Sequence, residues 1–322
     1  MRLAILLLLA AFPGAVPAAA QTVDPADRQS VITFYYGDYL GTQGSASGWN
    51  GNVASCQEGT VSATYLDAAL RRVNYFRAMC GLPPVGGLDT TATAKCQKAA
   101  LMMSANNTLS HSPPASWTCY SADGAEAASK SNLALGYSSL AAAITAWIHD
   151  GGVPSLGHRR WVLYPPLDET GFGAITGGTR TYAMWVLGPF GTRPASPEWV
   201  AWPPAGFVPY DLVPDMWSFS YPGANFSGAS VTMSRNGSPI TVALGTIQNG
   251  YGDNALSWTP QGAAPGAGQD VVYQVTVRNV SISGASRDFT YTVTSIDPTL
   301  TPARPTTWGS LKARYRNGES AP

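Results

Sequence analysis

From Pro194 to Pro204 the chain reads Pro-Ala-Ser-Pro-Glu-Trp-Val-Ala-Trp-Pro-Pro. Proline has no backbone N–H to donate and a fixed φ, so this passage can continue neither a helix nor a central strand. It separates two parts of the sequence whose apolar residues repeat with different periods. Before it, Leu66, Ala69, Leu70, Val73 and Phe76 recur at three- and four-residue steps, which predicts a helix over Tyr65 to Cys80. Ser62 or Thr64 can cap its start, and Gly81 with Pro83-Pro84 ends it. Further helices are expected from about Thr91 to Met103, stopping at Asn106-Asn107, and from Leu140 to Ile148, broken by Gly151-Gly152. Short strand-like runs lie at Trp161-Val162-Leu163, Gly171 to Ala174 and Thr181 to Leu187. Beyond the passage the pattern alternates at Trp217–Tyr221, Ser230–Met233, Ile240–Ala243, Val271–Val280 and Phe289–Ile296. Asn236-Gly237, which tolerates positive φ, suits a tight hairpin turn there. The expectation is an α+β half followed by an all-β antiparallel sandwich. The Pro/Trp passage would be a linker that packs, since exposed tryptophans forgo the gain from burial.

The chain has 322 residues, which favours two domains at about 100–200 residues each. Its 19 basic and 19 acidic residues cancel, and its 12% charged content is half the roughly 25% of an average soluble protein. A polybasic nucleic-acid binder and an acidic tail are both excluded by that balance. Arg2, the apolar run Leu3–Phe12 and the small residues Ala18-Ala19-Ala20 have the order of an export signal cleaved before Gln21. The run is shorter than the roughly 20 apolar residues that span a bilayer, and no later segment qualifies as a transmembrane helix. A secreted protein, extracellular or periplasmic, is expected. In that compartment Cys56, Cys80, Cys96 and Cys119 are candidates for two disulfides, with three possible connectivities. Without a short C-x-x-C spacing, a structural zinc site is the weaker reading.

The chemistry-bearing residues are sparse. Three histidines occur, His111, His149 and His158. There is no G-x-S-x-G elbow, H-E-x-x-H or P-loop, and Gly171-Phe172-Gly173 is not extended into a dinucleotide fingerprint. What remains is Ser110-His111, Glu126, Asp150 and Gly157-His158, each at the end of an expected element where side chains from separate elements can converge. Two imidazoles facing two carboxylates would suit a divalent ion such as zinc, and equally proton transfer. Trp147, Trp161 and Trp185 are expected in the core, and Trp199, Trp202 and Trp217 between the two parts.

Several segments in order resemble the CAP superfamily, the SCP domain of cysteine-rich secretory, antigen 5 and pathogenesis-related proteins. They are Leu70-Arg-Arg-Val-Asn74-Tyr-Phe-Arg77-Ala-Met-Cys-Gly81-Leu-Pro-Pro84, Cys96-Gln-Lys-Ala-Ala-Leu-Met-Met103, Leu109-Ser-His111, Ala146-Trp-Ile-His-Asp150 and Gly157-His-Arg-Arg-Trp-Val-Leu163. The resemblance implies an α-β-α sandwich whose cleft holds two histidines and two acids. His111 and His158 match the histidines, and Asp150 matches one acid. In the other acid's motif, Lys130-Ser131-Asn132-Leu133, Ser131 stands where glutamate is usual, with Glu126 able to compensate from another backbone position. The implied organisation is a signal peptide (1–20), an N-terminal extension (21–60), a CAP domain (61–190), a linker (191–215), an immunoglobulin-like β-sandwich (216–298) and a flexible tail (299–322). The implied function is non-enzymatic binding of a lipid, sterol, divalent ion or protein partner at the cleft. A hydrolase acting on extracellular peptides or cell-wall material is the alternative, with Ser110, Ser131 or a metal-bound water as nucleophile.

Overall fold

Asp27 accepts the Ser30 N–H at 2.8 Å and so opens α1 (Arg28–Phe34), which runs into a π-helical turn, Tyr35–Tyr39. The computed structural model describes residues 22–262 and 266–300. The expected export signal, and the expected tail from residue 301 onward, lie outside them. The N-terminal extension is not a separate appendage: Phe34 stacks on Tyr75 with ring centroids 4.9 Å apart, and Tyr39 contacts Phe76 edge-on at 5.9 Å. Ser62 rather than Thr64 caps α2 (Ala63–Met79), accepting the Tyr65 N–H at 3.2 Å.

After β1 (Gly87–Leu88), Asp89 caps α3 (Thr90–Asn106), which ends at Asn107 in the left-handed conformation. Then follow α4 (Ala122–Lys130), β2 (Ser131–Leu135), α5 (Leu140–His149), α6 (Gly157–Val162), β3 (Glu169–Thr170), β4 (Phe172–Ile175) and β5 (Thr181–Trp185). The sheet order β2-β5-β4 is antiparallel. Its alternating side chains make three layers. Leu133, Ala183 and Trp185 pack with α3 and α4, whereas Ala134, Tyr182 and Met184 join the core that holds α2 and α5. The glycines flanking Phe172 are explained by closeness: a Cβ on Gly173 would lie 2.0 Å from the Cys96 carbonyl oxygen, and one on Gly171 2.4 Å from the Thr93 nitrogen. Only glycine lets α3 seat on β4 at that distance.

Trp161-Val162-Leu163 is not a strand. Trp161 and Val162 finish α6 and Leu163 caps it, because the six-residue run from Gly157 turns helical to bury Arg159, Arg160 and Val162 on one side. α4 and β2 are two further elements, beyond those that the sequence pattern predicts.

The C-terminal part is a two-sheet β-sandwich. Its strands are β6 (Val200–Trp202), β7 (Gly206–Pro209), β8 (Trp217–Tyr221), β9 (Ser230–Arg235), β10 (Ser238–Ile240), β11 (Val242–Leu244), β12 (Asn254–Pro260), β13 (Val271–Ile282) and β14 (Ala285–Ile296). One sheet has the order β10-β9-β13-β14-β7 and the other β11-β12-β8-β6. Rings from facing strands meet between them, Trp217 with Tyr273 at 5.3 Å and Phe219 with Phe289 at 5.0 Å. Asn236 and Gly237, with φ of 48° and 82°, form the two-residue turn between β9 and β10. The expected strand Ile240–Ala243 is instead two, β10 and β11, one in each sheet. The Pro/Trp passage is less of a linker than expected, since β6 and β7 lie within or just after it. Both occupy sheet edges, where proline costs no ladder bond.

Both parts share one continuous hydrophobic core. Trp202 is fully buried at their junction, edge-on to Phe76 at 5.2 Å. Trp199 and Trp217 pack inside the sandwich instead. The disulfide expectation is half corrected: Cys56 pairs with Cys119, while Cys80 and Cys96 are free. Cys80 ends α2 facing the Ala201 carbonyl at 3.5 Å, and Cys96 sits under the sheet 3.5 Å from the Ser131 hydroxyl. Burial pushes both thiols up to about 12, which keeps them protonated at neutral pH, Cys96 inside the core and Cys80 half-buried against it. Among the described residues, no helix is long and apolar enough to cross a membrane.

Candidate functional site

α5 ends on Asp150, which takes the left-handed conformation at φ 51°. The chain then reverses through Val153 and Leu156, so that α6 returns His158 to the carboxylate it left eight residues earlier. His158 Nδ1 lies 2.7 Å from Asp150 Oδ1, and Asp150 Oδ2 accepts the Arg159 backbone N–H at 3.2 Å. The Asp150 side chain is 1% exposed and that of His158 26%, so the imidazole stands between a buried carboxylate and solvent. His111 follows α3, and its Nδ1 is 2.7 Å from the Ala128 carbonyl oxygen. A carbonyl can only accept, so Nδ1 of His111 carries the proton; an ionised Asp150 imposes the same on His158. In the neutral form each Nε2 therefore keeps its lone pair, and neither has a protein partner among the described residues.

His111 and His158 line one cleft of about 450 Å³ together with Ser131. Asp150 supports that cleft from behind without lining it. Ser131 is buried, and its hydroxyl turns to Cys96. Glu126 does not compensate. It borders a neighbouring pocket, where its carboxylate accepts Lys95 Nζ at 2.5 Å and Lys130 Nζ at 2.8 Å. The two ammonium groups hold its carboxyl down at about 2. The proposed set of His111, Glu126, Ser131, Asp150 and His158 thus divides into three cleft residues, one support and one residue outside.

This division bears on zinc. A zinc site needs three or four ligands on one point. Here the usual glutamate position is a buried serine, the aspartate is committed to His158 and Arg159, and the spare glutamate is clamped by lysines. Among the described residues no group of three or more His, Cys, Asp or Glu side chains could hold a metal. The residues do not fit the ion.

Nucleophile candidates fare no better. The Ser110 hydroxyl accepts the Ser112 N–H at 3.0 Å and is not bonded to the adjacent imidazole. His149, the third histidine, points away from the cleft's chemistry: its Nε2 is sealed without a partner, and burial pushes its pKa down to about 4.

The cleft also contains residues that periodicity could not reveal. Trp161 borders it from α6, and Gln248 and Tyr251 reach it from the loop between β11 and β12. Arg160 Nη2 binds the carbonyls of Tyr251 and, at 2.8 Å, Asp253, which fixes that loop against the N-terminal part. The sequence signal was meagre, a glycine-flanked tyrosine in Asn249-Gly250-Tyr251-Gly252.

No curated protein matches the chain. Residues 70–188 match the family model described as CAP, cysteine-rich secretory protein family. That stretch runs from within α2 through β5 and holds both cleft histidines and the three-layer arrangement that the resemblance implied; it is a CAP domain, followed in the chain by the β-sandwich.

Proposed function

We propose that this is a secreted binding protein, whose CAP cleft takes an extracellular ligand without transforming it. The observation that carries the reading is the pairing of His111 and His158 in one cleft, each tied back through Nδ1 and each with Nε2 unengaged. Two fixed acceptors beside a cavity of about 450 Å³ suit recognition of an organic ligand. Since the donor set does not suit a divalent ion, a small molecule, a lipid or a protein segment is the better occupant. Export is supported by the signal-like first twenty residues and by the Cys56–Cys119 bridge, which belongs to an oxidising compartment.

A hydrolase draws support from one observation, the Asp150–His158 pair at 2.7 Å, the relation of an orienting carboxylate to a general base. It lacks the next member, since Ser131 faces Cys96 and Ser110 is turned to Ser112. The two readings separate in one experiment. The purified protein is incubated with a peptide library and with cell-wall material, and native mass spectrometry follows retained ligands. Retention lost in the His111→Ala/His158→Ala double variant, with no substrate consumed, is the expected result. Peptide cleavage that disappears with His158→Ala would overturn the binding reading.

A further inference from the structure

Resting on that reading of the cleft as a binding site, we infer that its ligand is a saccharide unit, held between the CAP domain and the β11–β12 loop of the sandwich. Three features of the cleft point to this chemistry.

The first is its hydrogen-bonding character. Among the described residues that border it none is Asp or Glu, and His111 and His158 offer Nε2 lone pairs, which require hydrogens from the ligand. Gln248, from the β11–β12 loop, both donates and accepts. A sugar ring carries several hydroxyls that donate and accept at once, so it can satisfy such a mixed set. Lys130 and Arg160 also border the cleft and donate, so the lining as a whole mixes acceptors with donors.

The second is the aromatic rim. Trp161 stacks on Phe190 with centroids 5.9 Å apart and planes 6° apart, and Tyr251 meets Trp161 edge-on at 6.3 Å. Tyr251, at 61%, is the most exposed large hydrophobic side chain among the described residues, and Phe190 backs Trp161 from just outside the lining. A pyranose has an apolar face of C–H groups that packs on such rings while its edge keeps the hydroxyls for polar contacts.

The third is the origin of the wall that the β11–β12 loop contributes. Gln248 and Tyr251 belong to the sandwich, and the loop is pinned by Arg160 to Tyr251 and Asp253 and by an Arg193–Asp253 ion pair. Gln248 is also in a two-way backbone pairing with Ala255 at 2.9 Å. The wall is preorganised, which lowers the ordering cost of binding. On this view the sandwich is a component of the site.

The chain has three histidines, so its imidazole NMR signals are few and His149 is an internal control. The full chain is titrated to about 100 mM with methyl β-glucoside, methyl β-galactoside, methyl α-mannoside and methyl N-acetyl-β-glucosaminide, and separately with cyclohexanol. At least one glycoside should shift His111 and His158 saturably and leave His149 unmoved. Tyr251→Ala, at an exposed position that does not threaten folding, should weaken that affinity by about fivefold or more. If no glycoside moves the two signals, or if Tyr251→Ala binds within about twofold of wild type, the inference is overturned. If cyclohexanol shifts them as strongly as the glycosides do, the saccharide assignment fails while the binding reading stands. Release of free sugar during the titration would overturn the non-enzymatic reading and leave the saccharide assignment intact.

Discussion

His158 and Arg159 are neighbours in sequence and enter regions of opposite character. Arg159 enters the junction between the CAP domain and the sandwich and is 1% exposed. Its guanidinium donates to the Ile148 carbonyl at 2.5 Å, the His149 carbonyl at 2.9 Å and the Ser218 hydroxyl at 3.1 Å. Arg77 is similar, with five carbonyls around it, including those of Val162 and Leu167 at 3.1 and 3.0 Å. Neither guanidinium is hydrogen-bonded to a carboxylate: main-chain carbonyls, with the Ser218 hydroxyl for Arg159, take their hydrogens, and burial draws both down to about 10. His158, one residue earlier, has one nitrogen committed and the other free. At the junction the Arg77 and Arg159 guanidiniums spend their hydrogens on the chain itself, although His149 Nε2 and Trp202 Nε1 are sealed there without a partner. The cleft imidazoles keep a nitrogen for something outside the chain. Buried polar groups with every partner in place fix architecture; polar groups left open beside a cavity mark recognition.

The comparison predicts its largest effect at Arg159. Arg159→Leu removes three charge-assisted bonds and leaves the last carbonyls of α5 buried and unpaired. The expected loss is about 3–5 kcal/mol of stability, seen as a lower urea midpoint. Arg159→Lys should recover little of it, since a single ammonium cannot span the fork between α5 and β8. A loss below about 1 kcal/mol would show that the junction does not depend on this side chain.

Next comes His149, on the junction side. In the unfolded chain it titrates near its ordinary 6.5, and in the folded protein at about 4, because burial and then the neighbouring Arg159 disfavour its charge. Above pH 6.5 both states are neutral and stability is at its full value. As pH falls from 6.5 to 4, the unfolded state takes up a proton that the folded state refuses, so stability declines, by up to about 3 kcal/mol at the bottom of the window. Asp211 and Asp253, raised by burial, titrate with the opposite sign, but they do so equally in His149→Gln. The difference between wild type and His149→Gln in urea melts across that window isolates the histidine, and parallel curves would refute its burial as a neutral group.

The two regions also differ in how far the sequence exposed them. α2, with its clean period and the Ser62 cap, and α5, ended before Gly151-Gly152, are readable because local chemistry and tertiary packing agree there. The three-layer order and both histidines came from the family resemblance. The rest depended on distance in space. Trp161 read as a strand because three apolar residues have no resolvable period, and only the burial of Arg159 and Arg160 makes that run helical. Glu126 was assigned to the cleft by its nearness in sequence to Ser131, but α4 directs it to Lys95 and Lys130. Cys80 and Cys96 had suitable numbers for a bridge, yet each lies against a different layer. Gln248 and Tyr251 lie about ninety residues beyond His158, and no periodicity connects a loop of one sheet to a cleft of another domain.

The smallest effect on stability is expected at His111, and it is the one that most sharpens the contrast. His111 is exposed, and among the described residues its imidazole bonds only to the Ala128 carbonyl, near the end of α4. In His111→Ala that carbonyl lies beside the open cleft, where water can replace the imidazole. The loss should be under about 1 kcal/mol, against several for Arg159. Affinity for the cleft ligand should move the other way, falling steeply in His111→Ala. If His111→Ala proved as destabilising as Arg159→Leu, the imidazole would be serving the fold as the guanidinium does, and the division between an inward-bonded arginine and an outward-facing histidine would be lost.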